Sequence, residues 1–259
     1  MDNSNAIARW HIIGNGDGMY ELQENERVIR FNQSESSDIT ADLVISNCYD
    51  QHNHKGMRTT GIEPYPGFAT VLLEQAQQLE QALGVWPSLG LTTLFALKDW
   101  PTTLRLSCMN LLPSIARPKS LSERKPLPCS YHNWLGERRL AMGLSGNLDW
   151  PAFWLPQENL QPPTSSDPYP RLLALAQSGK MEGAELIRQL VSESQGCWNG
   201  YATKEKLKNA ESIFFLERGE HNTNNWWLYH FEASHLMTNI RQKLALAQQN
   251  LYRFSPIPA

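Results

Sequence analysis

Polar residues follow several apolar runs of this sequence, where buried strands are expected to end. They are Gly14, Asn15 and Gly16 after "WHII", Asn32 and Gln33 after "RVIRF", and Asn110 after "TLRLSCM". Carboxamides donate and accept hydrogen bonds, as a sugar, a base or a phosphate requires. For the glycine-rich stretch 14–18 taken alone, an ordinary turn is the default interpretation. Because Asn15 and Asn32 recur at successive strand ends, we predict a ligand-binding rim.

His132 is the candidate for proton transfer. The stretch "SYHNWLGERR" follows a proline-rich basic segment and resumes a helical pattern, which predicts an imidazole at the start of a helix. A neutral imidazole at such a place suits a general base, and the alternative is a histidine that caps the helix. Glu137 lies about one and a half turns further along, so we expect it to support the helix rather than contact the ring.

A dinucleotide site is not favoured. The stretch 14–18 has the spacing G-x-G-x-G instead of G-x-G-x-x-G, and "MYELQENE" after it is a poor amphipathic helix. A nucleotide-dependent oxidoreductase would also need an acidic residue at the end of the second strand, where this chain has Asn32.

A metal site is not predicted either. No Asp-x-Asp pair follows a strand, and no group of histidines and cysteines has a recognised ligand spacing. The groups considered are His52 with His54, Cys129 with His132, and His221 with His230 and His235. We therefore expect a metal-independent reaction.

Composition narrows the class of protein. A chain of 259 residues with 41% hydrophobic residues can bury an ordinary core, and a formal charge of -3 without basic runs gives no support for a nucleic-acid partner. The start "MDNSNAIARW" lacks the features of a signal peptide, and no stretch approaches the roughly 20 apolar residues of a membrane span. Four scattered cysteines favour free thiols. We expect a soluble cytoplasmic protein.

The elements that must position these residues alternate between strands and helices. "WHIIG", "RVIRF", "DLVIS" and "TTLRLSCMNL" are typical of strands, whereas "GFATVLLEQAQQLEQALG" and "PSLGLTTLFAL" are typical of helices. This alternation predicts an α/β fold with a Rossmann-like, mostly parallel sheet flanked by helices. Ligands of such sheets bind beyond the carboxyl ends of the strands, where the polar residues fall.

The second half has a different character. We interpret Leu111–Pro128, with several prolines and basic residues, as a lid that Arg117, Lys119, Arg124 and Lys125 would bring to a bound anion, or as a solvated linker. We predict a nucleotide-sugar-binding catalytic α/β domain at 1–150 and a mostly helical region at 151–259 that packs on it. The cluster of Trp226, Trp227 and Tyr229 has the spacing of a buried helix, so a core role is favoured over recruitment of a partner.

Segments of the front half resemble, in order, the sialylmotifs of the sialyltransferases. "IIGNGDG", "ERVIRFNQS" and "ADLV" resemble the large sialylmotif, in which Gly-Asn follows the first strand and Arg-x-Asn the second. "WPSLGLTTLFAL" with "TLRLSCMN" resembles the small sialylmotif. "HNWLGE", His132–Glu137, has the spacing of the very small sialylmotif. The likeness does not extend beyond Trp150.

The resemblance implies an inverting, cytoplasmic, bacterial-type glycosyltransferase that uses a CMP-sugar and needs no cofactor. His132 would accept the proton of the acceptor hydroxyl. The implied donor-binding residues are Gly14, Asn15, Gly16, Asn32, Gln33, Ser88, Gly90 and Asn110. Ser88 and Gly90 would meet the ribose or phosphate at a helix N-terminus. The implied partners are a CMP-sugar donor and a glycan or glycolipid acceptor, the latter compatible with peripheral membrane association.

Departures from the family leave the donor sugar open. Leu89 stands where family members usually have Ser-Thr before Gly, and Trp10 and Lys98 occupy the positions of a disulfide that secretory members carry. Tyr131 is the nearest match to a short His/Tyr motif. The alternatives are transfer of a sialic acid, transfer of a related 2-keto sugar such as Kdo, and a non-catalytic nucleotide- or glycan-binding module.

Overall fold

The computed structural model describes residues 9–32, 40–49, 55–122, 125–145, 148–156, 162–163, 166–216 and 223–254. The chain divides into two compact units. The sheet unit comprises Met1–Asn110 and Leu144–Trp154, and the helical unit comprises Leu111–Gly143 and Leu155–Ala259.

The sheet unit contains a five-stranded sheet. Its strands are β1 (Arg9–Ile13), β2 (Glu26–Phe31), β3 (Leu43–Tyr49), β4 (Lys55–Gly61) and β5 (Thr103–Ser107), in the order β4-β3-β2-β1-β5. The β1–β2, β2–β3 and β1–β5 pairs are parallel, and β3–β4 is antiparallel. The predicted α/β, Rossmann-like, mostly parallel sheet is confirmed.

Strand order sets the place of a ligand crevice. From β1 the chain moves outward through β2 and β3, and it later returns to the other side of β1 as β5. The carboxyl ends of β1 and β5 therefore form a topological switch point, where open α/β sheets bind ligands. β4 was not predicted, because "KGMRTTG" is a partly exposed edge strand without a buried apolar face.

Two helices pack in the sheet unit. α1 (Phe68–Leu83) buries apolar residues at helical spacing, packs on α2 and contacts β4. α2 (Leu89–Leu97) is almost entirely buried and contacts β3. Both helices lie where the sequence predicts them, α1 from its apolar periodicity and α2 from its opening at Pro87 and Ser88.

The helical unit has six α-helices within the described ranges. They are α3 (Trp134–Ser145, whose last two residues belong to the sheet unit), α4 (Tyr169–Leu175), α5 (Lys180–Ser192), α6 (Gln195–Gly200), α7 (Lys204–Glu211) and α8 (Phe231–Phe254). Trp198 and Trp227 lie at the centre of their shared core, and Trp226 and Tyr229 pack against it. The core role predicted for this aromatic cluster is confirmed.

The two units do not follow the ranges 1–150 and 151–259. Leu112, Ile115 and Leu135 belong to the core of the helical unit, so the segment that carries His132 folds with the C-terminal helices. Sequence order alone did not indicate this. Among the described helices, none is long and apolar enough to cross a bilayer.

Candidate functional site

The glycine turn after β1 lies directly against the end of β5. Gly14 N–H donates to Ser107 O at 2.9 Å, and Gly16 N–H donates to Cys108 O at 3.0 Å. A Cβ on Gly14 would overlap Cys108 O, so only glycine allows this approach at the switch point. Both N–H groups are thus used within the protein, and these glycines shape the crevice through backbone packing.

Asn15 and Asn32 join the ends of three neighbouring strands. Asn15 Nδ2 donates to Phe31 O at 3.1 Å, which links the end of β1 to the end of β2. Asn32 Oδ1 accepts from Asn47 N–H at 3.1 Å, which links β2 to β3. Asn32 has φ 48, a left-handed conformation that asparagine tolerates better than most residues. The two asparagines therefore lie at adjacent strand ends, and each also has a structural role. Gln33 lies outside the described residues.

Ser88 and Gly90 form the start of α2. Ser88 is the N-cap, and its Oγ accepts from Leu91 N–H at 3.2 Å. Gly90 is buried against the Met109 side chain, in the segment after β5 that also carries the exposed Asn110. The first turn of α2 is thereby brought to the same end of the sheet as the glycine turn.

Cys108 is a feature of this edge that sequence reasoning missed. It is a buried thiol with φ 54, a conformation uncommon for cysteine. Burial raises the pKa of Cys108, and the nearby charge of Arg30 opposes that rise. Backbone strain of this kind is found preferentially at functional sites, and no sequence pattern signals it at a residue other than glycine.

A buried polar network crosses the centre of the sheet. His11 Nε2 lies 2.8 Å from Ser107 Oγ, and His11 Nδ1 lies 3.0 Å from Arg105 Nη2. Arg105 also pairs with Glu26, at 2.9 Å from Nε to Oε1. Because a guanidinium only donates, Nδ1 must accept, and Nε2–H donates to Ser107. His11 is thus neutral, and its pKa is lowered by burial and by the charge of Arg105.

His132 precedes α3 instead of lying on it. It follows a 3-10 turn at Pro128–Tyr131 in an extended conformation, and Asn133 accepts from Gly136 N–H at 2.9 Å as the cap of α3. His132 Nδ1 lies 3.6 Å from Glu137 Oε1; the His132 side chain is 25% exposed and that of Glu137 0%. The expectation that Glu137 would not approach the ring is wrong, because the extended backbone before the helix turns the ring back along the first turn.

A carboxylate from α7 holds the start of α3. Glu211 Oε2 accepts from Asn133 Nδ2 at 3.1 Å, and Glu211 Oε1 accepts from Arg139 Nε at 2.6 Å. A Cβ on Gly136 would lie 2.6 Å from Asn133 Nδ2 and 2.8 Å from Glu211 Oε2, so glycine is required there. Burial alone would lower the pKa of Arg139, but its hydrogen bond with Glu211 raises it. Glu211 is 78 positions from Asn133 and 72 positions from Arg139 in the sequence, so no local pattern reveals these contacts.

Two further arginines are buried in the helical unit. Burial lowers the pKa of Arg138 to about 9 and that of Arg241 to about 10, and the charge of Arg241 also lowers the former. Arg241 Nη2 donates to Pro113 O. Arg138 lies in α3 and Arg241 in α8, and only the packing of these helices distinguishes the two arginines from surface residues.

Arg117 organises the described parts of the basic loop, residues 111–122 and 125–128. This residue is buried, and its guanidinium donates to Lys125 O at 2.8 Å, Leu228 O at 3.2 Å and also to Ser122 O. Backbone carbonyls thus accept from both Nη atoms of Arg117, which favours a structural role over the predicted approach to a bound anion. Lys119 Nζ lies 5.1 Å from the centre of the Phe231 ring. Arg124 is outside the described residues.

No three His, Cys, Asp or Glu side chains are grouped to hold a metal ion within the described ranges. His52, His54 and His221 lie outside those ranges, so metal independence stays a prediction. Cys48, Cys108, Cys129 and Cys197 are free thiols.

Compared with protein-family models, curated proteins and solved structures, the chain has no match. Its function is therefore argued from its own residues.

Proposed function

We propose that the protein is an inverting glycosyltransferase that moves a sialic acid or a related 2-keto sugar from a CMP-sugar to a hydroxyl of a glycan acceptor. One observation carries the proposal: the His-x-x-x-x-Glu spacing corresponds to a contact. The partly exposed His132 has Nδ1 3.6 Å from an oxygen of the fully buried Glu137. A histidine oriented by a carboxylate is the usual arrangement of a general base.

The contact between His132 and Glu137 gives the two ring nitrogens of His132 different roles in this proposal. A proton on Nδ1 faces Glu137, which leaves the lone pair on Nε2 to accept the proton of the acceptor hydroxyl. The acceptor oxygen then attacks the anomeric carbon from the face opposite the nucleotide, and the bond to the CMP phosphate breaks. The configuration inverts without a covalent intermediate. The imidazolium formed is stabilised by the Glu137 carboxylate.

The sheet unit supplies the donor-binding residues in this proposal. Asn15 and Asn32 lie at the ends of adjacent parallel strands, and Ser88 begins α2. Exposed N–H groups and the dipole at a helix start favour an anion such as a nucleotide phosphate. CMP is a good leaving group, so positioning, a base and hydrogen bonds to the departing phosphate are what catalysis requires.

The test is a screen of CMP-sugars, including CMP-N-acetylneuraminic acid and CMP-Kdo, against a panel of glycan acceptors, with mass spectrometry of the products. Wild-type protein is expected to form a product with one donor class, and His132→Gln to form almost none. His235→Gln is the matched control, because His235 is exposed on α8 in the same unit.

Equal turnover by wild type and His132→Gln would remove the assigned base. Binding of CMP without turnover of any CMP-sugar would favour the non-catalytic binding module.

A further inference from the structure

Arg30 occupies the last but one position of β2, at the carboxyl end of the sheet, and is partly buried. The register pairs Arg30 with Val44 of β3. Extending the β1–β2 register by one residue places Ile13 of β1 on its other side. Both neighbours are apolar. The sheet therefore brings a guanidinium to its ligand-binding edge between neighbours that cannot neutralise its charge.

The Nε atom of Arg30 is buried and has no hydrogen-bond acceptor among the residues that the structure describes. A missing ion or ligand is one accepted explanation for a buried donor without an acceptor. Arg105 lies on the same face of the sheet, and unlike Arg30 it has an acceptor for its Nε–H. Its Nε donates to Glu26 Oε1 at 2.9 Å and its Nη2 to Glu26 Oε2 at 2.5 Å.

Polar groups of the predicted donor rim surround the same strand end. Asn15 Nδ2 donates to the carbonyl of Phe31, the residue after Arg30, and Asn32 follows directly. Burial raises the pKa of Cys108, and the positive charge of Arg30 opposes this rise, which places that charge near the switch point after β5. Arg30 is thus a cation at the edge where these carboxamides lie.

We infer that Arg30 binds an oxyanion of the donor, either the nucleotide phosphate or the sugar carboxylate, through Nε and one Nη atom. This inference rests on the proposed function. The planar guanidinium matches either anion with two parallel hydrogen bonds, and one anion oxygen would satisfy Nε–H. The N–H groups of Gly14 and Gly16 donate to Ser107 O and Cys108 O, so these two groups are not available to the anion, whereas the Arg30 guanidinium is a cationic donor at the same edge.

The experiment compares Arg30→Gln with Arg27→Gln by calorimetry. Arg27 is the matched control, because it is exposed near the opposite end of the same strand, on the other face, with its guanidinium 5.7 Å from the centre of the Trp10 ring. The probes are cytidine, CMP and CMP-N-acetylneuraminic acid. Arg30→Gln is expected to weaken binding of CMP-N-acetylneuraminic acid by about 10- to 100-fold, and of CMP equally if the anion is the phosphate, and to leave cytidine binding unchanged, whereas Arg27→Gln changes none of them.

The probes separate the two anions. Weaker binding of both CMP and the CMP-sugar assigns the phosphate, and weaker binding of the CMP-sugar alone assigns the carboxylate. An equal loss for cytidine and CMP would overturn the inference, because it would show a structural role such as an internal ion pair. Equal affinities of the two variants for every probe would overturn it as well.

Inorganic pyrophosphate separates this inference from the proposed function. If wild type binds pyrophosphate through Arg30 but binds no cytidine nucleotide, the anion site stands and the proposed donor fails. If wild type binds none of pyrophosphate, CMP and CMP-N-acetylneuraminic acid, the anion site fails.

Discussion

His132 and Glu137 meet because the histidine lies in extended backbone just before α3. The Glu137 side chain is fully buried and that of His132 is 25% exposed, so the ring borders both a buried carboxyl group and solvent. The capping contact of α3 is made by Asn133, which accepts from Gly136 N–H, and His132 lies before it.

His132→Gln is expected to lower the rate of sugar transfer by on the order of 10²- to 10⁴-fold, the usual contribution of acid–base catalysis, and to leave CMP affinity nearly unchanged. The measurements are kcat with a CMP-sugar and the Kd of CMP. A parallel loss of CMP affinity would indicate that the ring serves donor binding instead.

The buried, neutral His11 is expected to make the stability of the fold decrease in acid. Its pKa is lowered by burial and by Arg105, so the folded protein resists protonation of a ring that has a pKa of about 6.5 when unfolded. Below that pH the unfolded chain binds more protons than the folded one, and stability falls as pH drops. Urea unfolding at pH 8 and pH 5.5 should show this loss in wild type and a smaller loss in His11→Gln. Identical pH dependence in the two proteins would contradict this role of His11.

At the scale of elements, α3 depends on α7 for the position of its first turn. Alanine usually stabilises a helix by up to about 1 kcal/mol relative to glycine. At Gly136 the added Cβ would lie within 3 Å of polar atoms of Asn133 and Glu211, which must then move apart.

Gly136→Ala is therefore expected to lower the free energy of unfolding by about 1–3 kcal/mol, as overpacking does. Gly143→Ala, at an exposed position of the same helix, is the control and is expected to be neutral or stabilising. Chemical denaturation measures both. A stabilising Gly136→Ala would mean that the contact between α3 and Glu211 is looser than described.

The loop at 111–128 depends on one side chain. Arg117→Lys keeps the charge but loses the planar fork that spans several carbonyls. We expect faster hydrogen exchange across residues 111–122 and a loss of about 1.5–3 kcal/mol in unfolding free energy, with CMP affinity unchanged. If CMP binding weakened while hydrogen exchange stayed the same, a contact of Arg117 with a bound anion would be supported instead.

For the whole molecule, the proposed donor predicts nucleotide selectivity. CMP and CDP should raise the melting temperature, whereas UDP, GDP and NAD should not. A ligand that binds only the folded state adds about 2.7 kcal/mol of stability at 100 times its Kd, which thermal-shift assays detect. An equal shift with UDP would contradict the assignment of a cytidine nucleotide.

The sheet and its first helices follow from local patterns. β1, β2 and β3 are short runs rich in Ile and Val, α1 shows apolar periodicity, and α2 is an apolar run that opens at Ser88, so local patterns suffice to indicate them. The carboxyl ends of parallel strands share one edge, and therefore the proximity of Asn15 and Asn32 was also predictable. β4 was not, because an edge strand needs no buried face.

The sequence by itself determined the fold class, the strand-end position of the asparagines and the candidacy of His132, because each depends on residues close together in the chain. Only the tertiary structure decided the contact of His132 with Glu137, the support of α3 by Glu211 and the burial of Arg117. It also decided that the segment carrying His132 folds with the C-terminal helices. These features depend on packing between residues that are far apart in the sequence. A buried charge is stable only where its hydrogen-bonding partners surround it.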